Sequence, residues 1–480
     1  MWSGKRPRAL NVIPNDAVPP NGLAEVRPER RRTVILLSLD WTRPKDPRTP
    51  LGQASLLAAL REAGQVEVIG LSESINRPDF LAETVVASLL RHARQVPEGD
   101  LDIAIGVYVW NDAHVRSILS QLRLAGCKAR MILGGPQISY SGPGLEQFYP
   151  EADVFVRGYG ERALVAVTAT DRRHAIDGVH WAGSPDEVLQ AQVDLATLPS
   201  PFLTGVVDVN DGQRFVRWET QRGCRYSCTF CQHREAGARL QRRQLDIARI
   251  RDEIALFARL RVQEIAVLDP IFNDGPDYLD ILGEFRRQSY GGRLSLQCRF
   301  ELVNEAFLDA CQALNVHLEF GLQTIHPQEY RAIQRGNRRS RVEQVIAELH
   351  HRAIDFEVSL IFGLPNQTLA SFRDSVDFCL KWRVPTIRAF PLMLLRGTKL
   401  ERERDTFGLI ENEDPIPAVV SSHSFDVQDW RRMASIAAAL SRSEGQHPAE
   451  IAGLDVAEAD ETAWSRRFSP QLPAHQPSVS

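Results

Sequence analysis

The sequence predicts an α/β fold, with a Rossmann-like domain, then a full or partial β/α barrel of the TIM type, and a small helical region at the C-terminus. Two observations lead to this prediction. Residues 33–170 alternate short apolar strands with helices, the order typical of a parallel sheet covered on both faces. From about residue 214 the pattern changes to repeated units of a short strand and an amphipathic helix, which is typical of a β/α barrel.

These changes of pattern also place the domain boundaries. A chain of 480 residues is long enough for two or three domains, each with its own core. The N-terminus is rich in Pro, Arg and Asn and has no apolar run of signal-peptide length, so we expect a flexible tail there. The predicted segments are a flexible tail (1–32), a sheet domain (33–170), a linker (171–212), a barrel (213–402), a helical region (403–469) and a second flexible tail (470–480).

Composition excludes several classes of protein. The net charge is −4, with 57 basic and 61 acidic residues, so nothing in the composition suggests a dedicated nucleic-acid surface. No stretch approaches the roughly 18 apolar residues expected of a membrane span. Seven cysteines, an odd number scattered over a long chain, do not resemble a disulfide framework and favour a reducing cytoplasm.

The predicted sheet domain has a regular order of elements. Val115, Ile118, Leu119 and Leu122 recur at helical spacing, so the helix at 113–126 should pack one apolar stripe on the sheet. Strand ends in such sheets open onto a ligand crevice, and a Gly-rich turn lets a ligand approach the backbone closely. The predicted elements are the strands 33–39, 66–70, 101–109 and 129–135, and the helix 56–64.

Three cysteines in the run GCRYSCTFC, Cys224, Cys228 and Cys231, are the strongest indication of chemistry. On one short loop they can each bind one iron of a [4Fe–4S] cluster, whose usual complement is four cysteines, and no fourth cysteine lies nearby. The fourth iron would then be open to a substrate. Zinc is the alternative, because His233 could complete a Cys3His site, although zinc sites usually contain paired C-x2-C knuckles.

The C-x3-C-x2-C spacing, with the aromatic Phe230 before the last cysteine, resembles the signature of the radical S-adenosylmethionine (radical SAM) superfamily. The resemblance implies that the open iron chelates S-adenosylmethionine and that one electron from the cluster cleaves it to a 5′-deoxyadenosyl radical. It also implies a flavodoxin- or ferredoxin-type electron donor.

The strands that follow resemble the same family in the same order. WETQRG (218–223) is interpreted as the first barrel strand, which delivers the cysteines at its C-terminal end, where β/α barrels place their chemistry. The later strands are expected in the runs 264–274, 294–301, 318–324, 358–368 and 387–400.

This resemblance implies a set of residues that hold S-adenosylmethionine. Gln323 and Arg335 match positions in the coproporphyrinogen-oxidase-like branch, where the arginine reaches the carboxylate of the ligand; a guanidinium suits this role because its fork pairs two oxygens. The other implied positions are Gln297 and Arg299 near the ribose or methionine, Ser359 in place of a ribose-binding Asp, and Gly363 and Leu394 near the adenine.

The sheet domain resembles the cobalamin-binding domain that precedes the barrel in one subgroup of the family. The resemblance is carried by TPLG (49–52), VWN (109–111), ILGGPQIS (132–139) and VRGYGE (156–161). It implies cobalamin contacts at Trp110, Gly134, Gly135 and Gly158. The histidine motif D-x-H-x-x-G after the first strand is absent, since Asp40 is followed by Trp41, Thr42 and Arg43, and Asp112-Ala113-His114 is only a partial echo of it.

The resulting hypothesis is a cobalamin-dependent radical SAM enzyme that methylates an unactivated carbon, or less often phosphorus, of a small biosynthetic intermediate. One alternative keeps the fold but performs a non-methylating rearrangement or cyclisation, because fold does not determine function. A second alternative is a zinc-stabilised binding or scaffold protein. The remaining cysteines, Cys127, Cys298, Cys311 and Cys379, are expected to be core thiols.

Overall fold

The computed structural model describes residues 31–47, 49–233, 241–414 and 416–456. Both predicted tails lie outside these residues, apart from Arg31 and Arg32. Arg32 is buried and pairs with Asp102 at 2.6 Å, so the ordered N-terminal domain begins before residue 33. No helix in the described part of the chain is long and apolar enough to cross a membrane.

The N-terminal domain is built on one sheet in the order β2-β1-β3-β4-β5-β6. The first five strands are parallel, and β6 pairs antiparallel with β5. The sheet thus extends into the segment predicted as a linker. The strands are β1 (Thr33–Asp40), β2 (Glu67–Ser74), β3 (Leu101–Gly106), β4 (Arg130–Gly134), β5 (Val154–Val156) and β6 (Val179–Trp181).

Helices cover both faces of this sheet, as predicted. Ile35 and Leu37 of β1 belong to the apolar cluster that contains Ile118, whereas Leu36 belongs to the cluster of the opposite face, with Leu57. The predicted stripe on α3 is confirmed, because its four apolar residues are fully buried. The helices are α1 (Leu51–Ala63), α2 (Ala82–Ala93), α3 (Asp112–Leu124), α4 (Pro136–Ser139), α5 (Leu145–Phe148) and α6 (Gly160–Thr168).

The second domain is an open, partial barrel of parallel strands in the order β14-β13-β12-β11-β10-β7. Every second residue packs outward on the helices; Leu318 and Phe320 of β12, for example, are fully buried. Each such side chain contributes roughly 1.5–3 kcal/mol through burial. The strands are β7 (Val216–Trp218), β8 (Gln221–Cys224), β9 (Gln241–Gln244), β10 (Glu264–Val267), β11 (Arg293–Cys298), β12 (Val316–Gln323), β13 (Asp355–Phe362) and β14 (Thr386–Pro391).

The helices of this domain follow their strands along the chain. After β14 the chain adds a short antiparallel ribbon of β15 and β16 within the region predicted to be helical. The predicted stripe on the last helix, Trp430, Met433, Ile436 and Leu440, is buried. The elements are α7 (Ile247–Arg259), α8 (Tyr278–Arg287), α9 (Glu305–Gln312), α10 (Pro327–Ile333), α11 (Arg339–His351), α12 (Leu369–Lys381), α13 (Lys399–Arg402), α14 (Arg404–Phe407), β15 (Ile410–Glu411), β16 (Val419–Ser421) and α15 (Val427–Arg442).

The prediction of a single first barrel strand over 218–223 was wrong. The barrel strand ends at Trp218, and β8 leaves the sheet to pair antiparallel with β9. The buried carboxylate of Asp269 causes the break, since its Oδ1 accepts the backbone N–H groups of Thr220 (2.7 Å) and Gln221 (3.1 Å). These two donors are therefore satisfied by a side chain and not by a neighbouring strand.

Candidate active site

The three cysteines of the motif lie together at the C-terminal side of the barrel sheet. We call residues 224–231 the cysteine loop. Cys224 ends β8 and Cys228 is buried, while the backbone N–H of Cys231 donates to the carbonyl of Cys228 at 3.3 Å. The loop is therefore compact, with all three thiols on the side of the barrel where its strands end.

The barrel holds the middle of this loop. The backbone N–H of Thr229 donates to the carbonyl of Ile333 at 3.0 Å, and its hydroxyl donates to the carbonyl of Ala332 at 3.2 Å. The carbonyl of Thr229 accepts the N–H of Leu400 at 2.9 Å. The end of α10 and the beginning of α13 thus fix the segment next to Cys228.

Burial controls the protonation of the thiols. It raises the pKa of Cys224, and it raises the pKa of Cys231 to about 11, so both are protonated at neutral pH in the free protein. Binding a metal would require them to ionise and release protons. The positive charge of Arg299 opposes this effect at Cys224, so it makes the rise in the pKa of that thiol smaller.

The zinc alternative gains no support from this geometry. No group of three His, Cys, Asp or Glu side chains in the described residues could hold a single metal ion. His233 contacts the loop through its backbone N–H, which donates to the sulfur of Cys231 at 3.4 Å.

Gln323 and Arg335, predicted from different segments, lie side by side next to the cysteine loop. Arg335 donates from Nε (3.1 Å) and Nη2 (2.7 Å) to the carbonyl of Gly321, while its Nη1 lies 3.9 Å from the sulfur of Cys228. Gln323 is buried at the end of β12, and its Oε1 has no hydrogen-bond partner among the described residues. Such an atom is costly to bury unless a ligand satisfies it.

Arg299 reaches the loop from the end of β11. Its guanidinium lies 3.8 Å from the ring centroid of Tyr226, which is inside the loop, and its Nε donates to Glu301 at 2.6 Å. The side chain is 4% exposed, and Nη1 has no hydrogen-bond partner among the described residues. One nitrogen of a buried cation is thus left for an anionic or carbonyl oxygen.

Gln297 and Ser359 lie on the face of the barrel sheet opposite its helices. Gln297 of β11 is in register with Glu319 of β12, and Ser359 of β13 is in register with Gly321. This inner face is polar, and the hydroxyl of Ser295 donates to Glu319 at 2.5 Å. The two predicted residues are therefore placed on the surface that encloses the barrel interior.

Gly363 and Leu394 follow the ends of neighbouring strands β13 and β14. The N–H of Gly363 donates to Oε1 of Gln367 at 2.7 Å, and Leu394 is buried. The structure therefore places both predicted adenine-side residues at the same end of the barrel as the cysteines.

A cavity of about 320 Å³ opens at the strand ends of the N-terminal sheet. Gly134, Gly135 and Gly158 line it, together with Tyr108, whose pKa burial raises to about 12. Gly135 has φ +91°, and a Cβ there would lie 2.8 Å from the carbonyl of Val107. Only glycine fits this backbone without strain, and its missing side chain leaves the turn open to a ligand.

A second cavity of about 320 Å³ continues from the first towards the cysteine loop, where Gln232 and His233 line it. We call the two together the interdomain cleft, because their shared walls come from both domains. The shared residues are Gly135, Gly158, Tyr159, Glu219, Arg222 and Leu268.

The prediction that Trp110 contacts cobalamin gains no direct support, because Trp110 does not line this cleft, and neither do Arg43 and His114. The ring of Tyr108 lines the cleft, and Trp110 stacks on this ring with 4.5 Å between the two centroids. Arg43 lies over the ring of Phe215 in the barrel, and His114 packs edge-on against Phe80. His114 is therefore buried against Phe80, away from the walls of the cleft.

Several residues of the cleft were missed by the sequence reasoning. Tyr108, Tyr159, Glu219 and Arg222 line it, and Asp269 fixes the beginning of the cysteine strand. Burial raises the pKa of Asp269 to about 7, because its effect outweighs that of three hydrogen bonds, which favour the ionised carboxylate. Glu219 and Arg222 flank the motif closely enough that a search for charged residues beside the cysteines could have found them.

The residues present fit the groups that the motifs imply. The loop supplies three thiols, and the unpartnered Gln323 Oε1 and Arg299 Nη1 offer polar atoms for a ligand with amino and carboxylate groups. At the other end of the cleft, the backbone of Gly135 and the aromatic ring of Tyr108 offer an open surface for a large planar ligand.

The cysteine loop lies at the open end of a partial barrel, and a parallel sheet covered on both faces precedes that barrel. Residues 218–379 match the family model described as "Radical SAM superfamily". The matched residues run from the end of β7 into α12, so the barrel of this chain is a radical SAM domain.

The chain is similar to two curated methyltransferases. It is 28% identical over 350 residues to the cobalamin-dependent radical SAM methyltransferase TokK of Streptomyces tokunonensis. The aligned region covers 66% of this chain and 50% of TokK. It is 26% identical over 313 residues to the 2-(S-pantetheinyl)-carbapenam-3-carboxylate methyltransferase of Streptantibioticus cattleyicolor, covering 58% of this chain and 44% of that protein. The chain thus spans about half the length of the curated relatives it matches.

Two solved structures share the fold. TsrM from Kitasatospora setae, with cobalamin and a [4Fe-4S] cluster bound, superposes with a TM-score of 0.63 and 19% identity over 84% of this chain and 82% of TsrM. OxsB, with aqua-cobalamin and S-adenosylmethionine bound, superposes with a TM-score of 0.64 and 16% identity over 86% of this chain and 67% of OxsB.

Proposed function

We propose that this protein is a cobalamin-dependent radical SAM methyltransferase that acts on an unactivated carbon, or less often phosphorus, of a small biosynthetic intermediate. The observation that carries the proposal is the interdomain cleft, which runs from the Gly135 turn of the sheet to the cysteine loop of the barrel. A methyl donor and a hydrogen-abstracting group could therefore face one substrate in the same cleft.

We assign the three cysteines to a [4Fe–4S] cluster and Gln323, Arg335 and Arg299 to S-adenosylmethionine. Gln297 and Ser359 would face the bound molecule from the inner barrel wall, and Gly363 and Leu394 would flank its base. The turns at Gly134, Gly135 and Gly158 would hold cobalamin, with Trp110 supporting Tyr108 from behind.

When bound, the cluster and S-adenosylmethionine supply a radical that abstracts hydrogen, and cobalamin supplies the methyl group. The chain itself orients these groups and excludes water from the space between them. Glu219 and Arg222 line both cavities of the cleft, where a substrate would meet both domains.

The electron donor and the location are also proposals. A flavodoxin- or ferredoxin-type protein would reduce the cluster, and a cytoplasmic location is supported by seven cysteines that are all free thiols.

The test is incubation of the anaerobically reconstituted protein with methyl-labelled S-adenosylmethionine and a reductant. The first substrates to try are 2-(S-pantetheinyl)-carbapenam-3-carboxylate and tryptophan. The first compound appears in the name of the methyltransferase from Streptantibioticus cattleyicolor, and the second is the substrate bound in a structure of TsrM. Label in the product together with 5′-deoxyadenosine supports the proposal. Deoxyadenosine with a rearranged, unlabelled product would instead identify the non-methylating alternative.

A further inference from the structure

The N-terminal domain contacts the chain on both sides of the cysteine loop, at Arg222 and at Gln232. The barrel also holds the loop, at Arg225 near its beginning and at Thr229 in its middle. We propose that Glu161 and Tyr140 of the sheet domain are positioning residues for the loop, Glu161 acting on the end at Cys224 and Tyr140 on the end at Cys231. The proposal rests on the proposed function insofar as these cysteines are the cluster ligands.

The first end is held by a buried ion pair across the domain boundary. Arg222, two residues before Cys224, donates from Nη1 to Glu161 at 2.6 Å and from Nη2 to Glu219 at 2.7 Å. Its guanidinium also lies 5.5 Å from the ring centroid of Tyr159. Glu161 is only 5% exposed and stands in the first turn of α6, where the helix dipole favours a carboxylate.

The second end is held by two hydrogen bonds of Gln232, the residue after Cys231, one at its backbone and one at its side chain. The hydroxyl of Tyr140 donates to the carbonyl of Gln232, and the side-chain amide of Gln232 donates to the carbonyl of Arg396 at 2.7 Å. The sheet domain therefore contacts the chain directly at this end.

Arg396 ties that end to the sheet domain a second time. Its Nη1 donates to the carbonyl of Gln137 at 3.1 Å and to the hydroxyl of Tyr149 at 3.2 Å, and its Nη2 lies 3.6 Å from Asp112. The next residue, Gly397, packs so closely on the carbonyl of Tyr140 that a side chain would not fit.

The arrangement makes an end-specific prediction. Thr229 keeps Cys228 fixed by bonds to the barrel alone, so loss of a sheet-domain contact should loosen Cys224 or Cys231 and spare Cys228. A general loosening of the fold would expose all three thiols, Cys228 included, because each is at least partly buried.

The experiment measures alkylation of each cysteine in the full-length apoprotein under anaerobic conditions, with iodoacetamide and mass spectrometry. Glu161→Gln should speed labelling of Cys224 about tenfold, since a charge-assisted hydrogen bond is lost. Tyr140→Phe should speed labelling of Cys231 by severalfold. Arg162→Gln is the matched control, because Arg162 follows Glu161 on α6 and pairs with the exposed Glu62.

A second readout uses the reconstituted protein. The electron paramagnetic resonance spectrum of the reduced cluster should change in Glu161→Gln. The midpoint temperature of thermal unfolding of this variant should stay near that of the wild type. Wild-type labelling rates in both variants would overturn the proposal, and so would equal acceleration at all three cysteines. Because alkylation needs neither cluster nor substrate, this result stands or falls separately from methyl transfer.

Discussion

Nη1 of Arg335 lies 3.9 Å from the sulfur of Cys228, while its other two nitrogens are held by the carbonyl of Gly321. The arginine is thus fixed in place with one edge towards the cysteine loop. Under the proposed function, the carboxylate of S-adenosylmethionine would meet this edge, and a guanidinium held in place suits that contact.

We expect Arg335→Gln to weaken binding of S-adenosylmethionine to the reconstituted protein by about tenfold or more, because a hydrogen bond to a charged group contributes about 1.5–3 kcal/mol. Arg335→Lys should recover only part of this affinity, since an ammonium lacks the fork. Isothermal titration with S-adenosylmethionine measures the change.

The matched control for Arg335 is Arg338→Gln, at an exposed position three residues along the chain. It should leave the affinity within about twofold of the wild type, as expected for a surface substitution. Equal losses in Arg335→Gln and Arg338→Gln would mean that general positive charge, and not the fixed guanidinium, attracts the ligand.

The parts of the site that could be predicted are those encoded locally. The cysteine spacing, the stripe on α3 and the buried barrel strands each occupy one short run of sequence. Gln323 and Arg335 could be found because the family resemblance supplied both positions, and the structure places them side by side.

The parts that were missed depend on contacts between distant segments. β8 and β9 have the sequences QRGC and QRRQ, which lack the apolar alternation of a half-buried strand, so no periodicity indicates them. The pair of Glu161 and Arg222 joins residues 61 positions apart. Its partners became recognisable only when the two domains were placed together.

The second prediction concerns the cysteines themselves. Replacing Cys224, Cys228 and Cys231 together by Ala should abolish iron binding, because no fourth thiol in the described residues adjoins the loop. Hydroxocobalamin binding should persist, since its proposed contacts are in the sheet domain. Iron analysis and the absorption spectrum check both outcomes.

The same triple variant tests the site assignment. If it retained the iron of the wild type, the cluster would have to lie elsewhere. If it lost hydroxocobalamin as well, the cobalamin site would depend on the cysteine loop and could not be assigned to the sheet turns alone.

The third prediction concerns the turn at Gly135. Gly135→Ala places a Cβ 2.8 Å from the carbonyl of Val107 at a φ of +91°, which should cost about 2 kcal/mol of stability. The turn would move into the cleft, and hydroxocobalamin affinity should fall about tenfold, which corresponds to about 1.4 kcal/mol of binding free energy. Urea unfolding and cobalamin titration measure the two effects.

Gly142→Ala is the control for this turn, because a Cβ at Gly142 meets no atom within 4 Å and its φ is not in the left-handed region. It should change neither property. Unaltered cobalamin affinity in a folded Gly135→Ala protein would place the ligand away from this turn.

The fourth prediction is a loss of stability at alkaline pH that originates at the far end of the barrel. Nδ1 of His317 lies 2.8 Å from Asp355, and Nε2 lies 3.2 Å from Glu357. Burial disfavours the imidazolium, but the two carboxylates outweigh it and raise the pKa of His317 to about 9.

The sign follows from the two states of this histidine. Its pKa is about 6.5 in the unfolded chain, so the stabilisation is complete below that pH and is lost as the pH rises through about 9. The pKa values of Asp355 and Glu357 are lowered, so both remain ionised throughout this range and do not contribute to the slope. The loss should be on the order of 3 kcal/mol.

Urea unfolding between pH 6.5 and 9.5 measures this loss. His317→Gln should be less stable than the wild type at pH 6.5, and this difference should disappear as the pH rises through about 9, because the variant cannot bind the proton. Both proteins should share a further loss from buried cysteines, whose pKa values burial raises. His351→Gln, at the exposed end of α11, should keep the wild-type slope. If His317→Gln lost stability with pH as steeply as the wild type, the titrating group would have to be another residue.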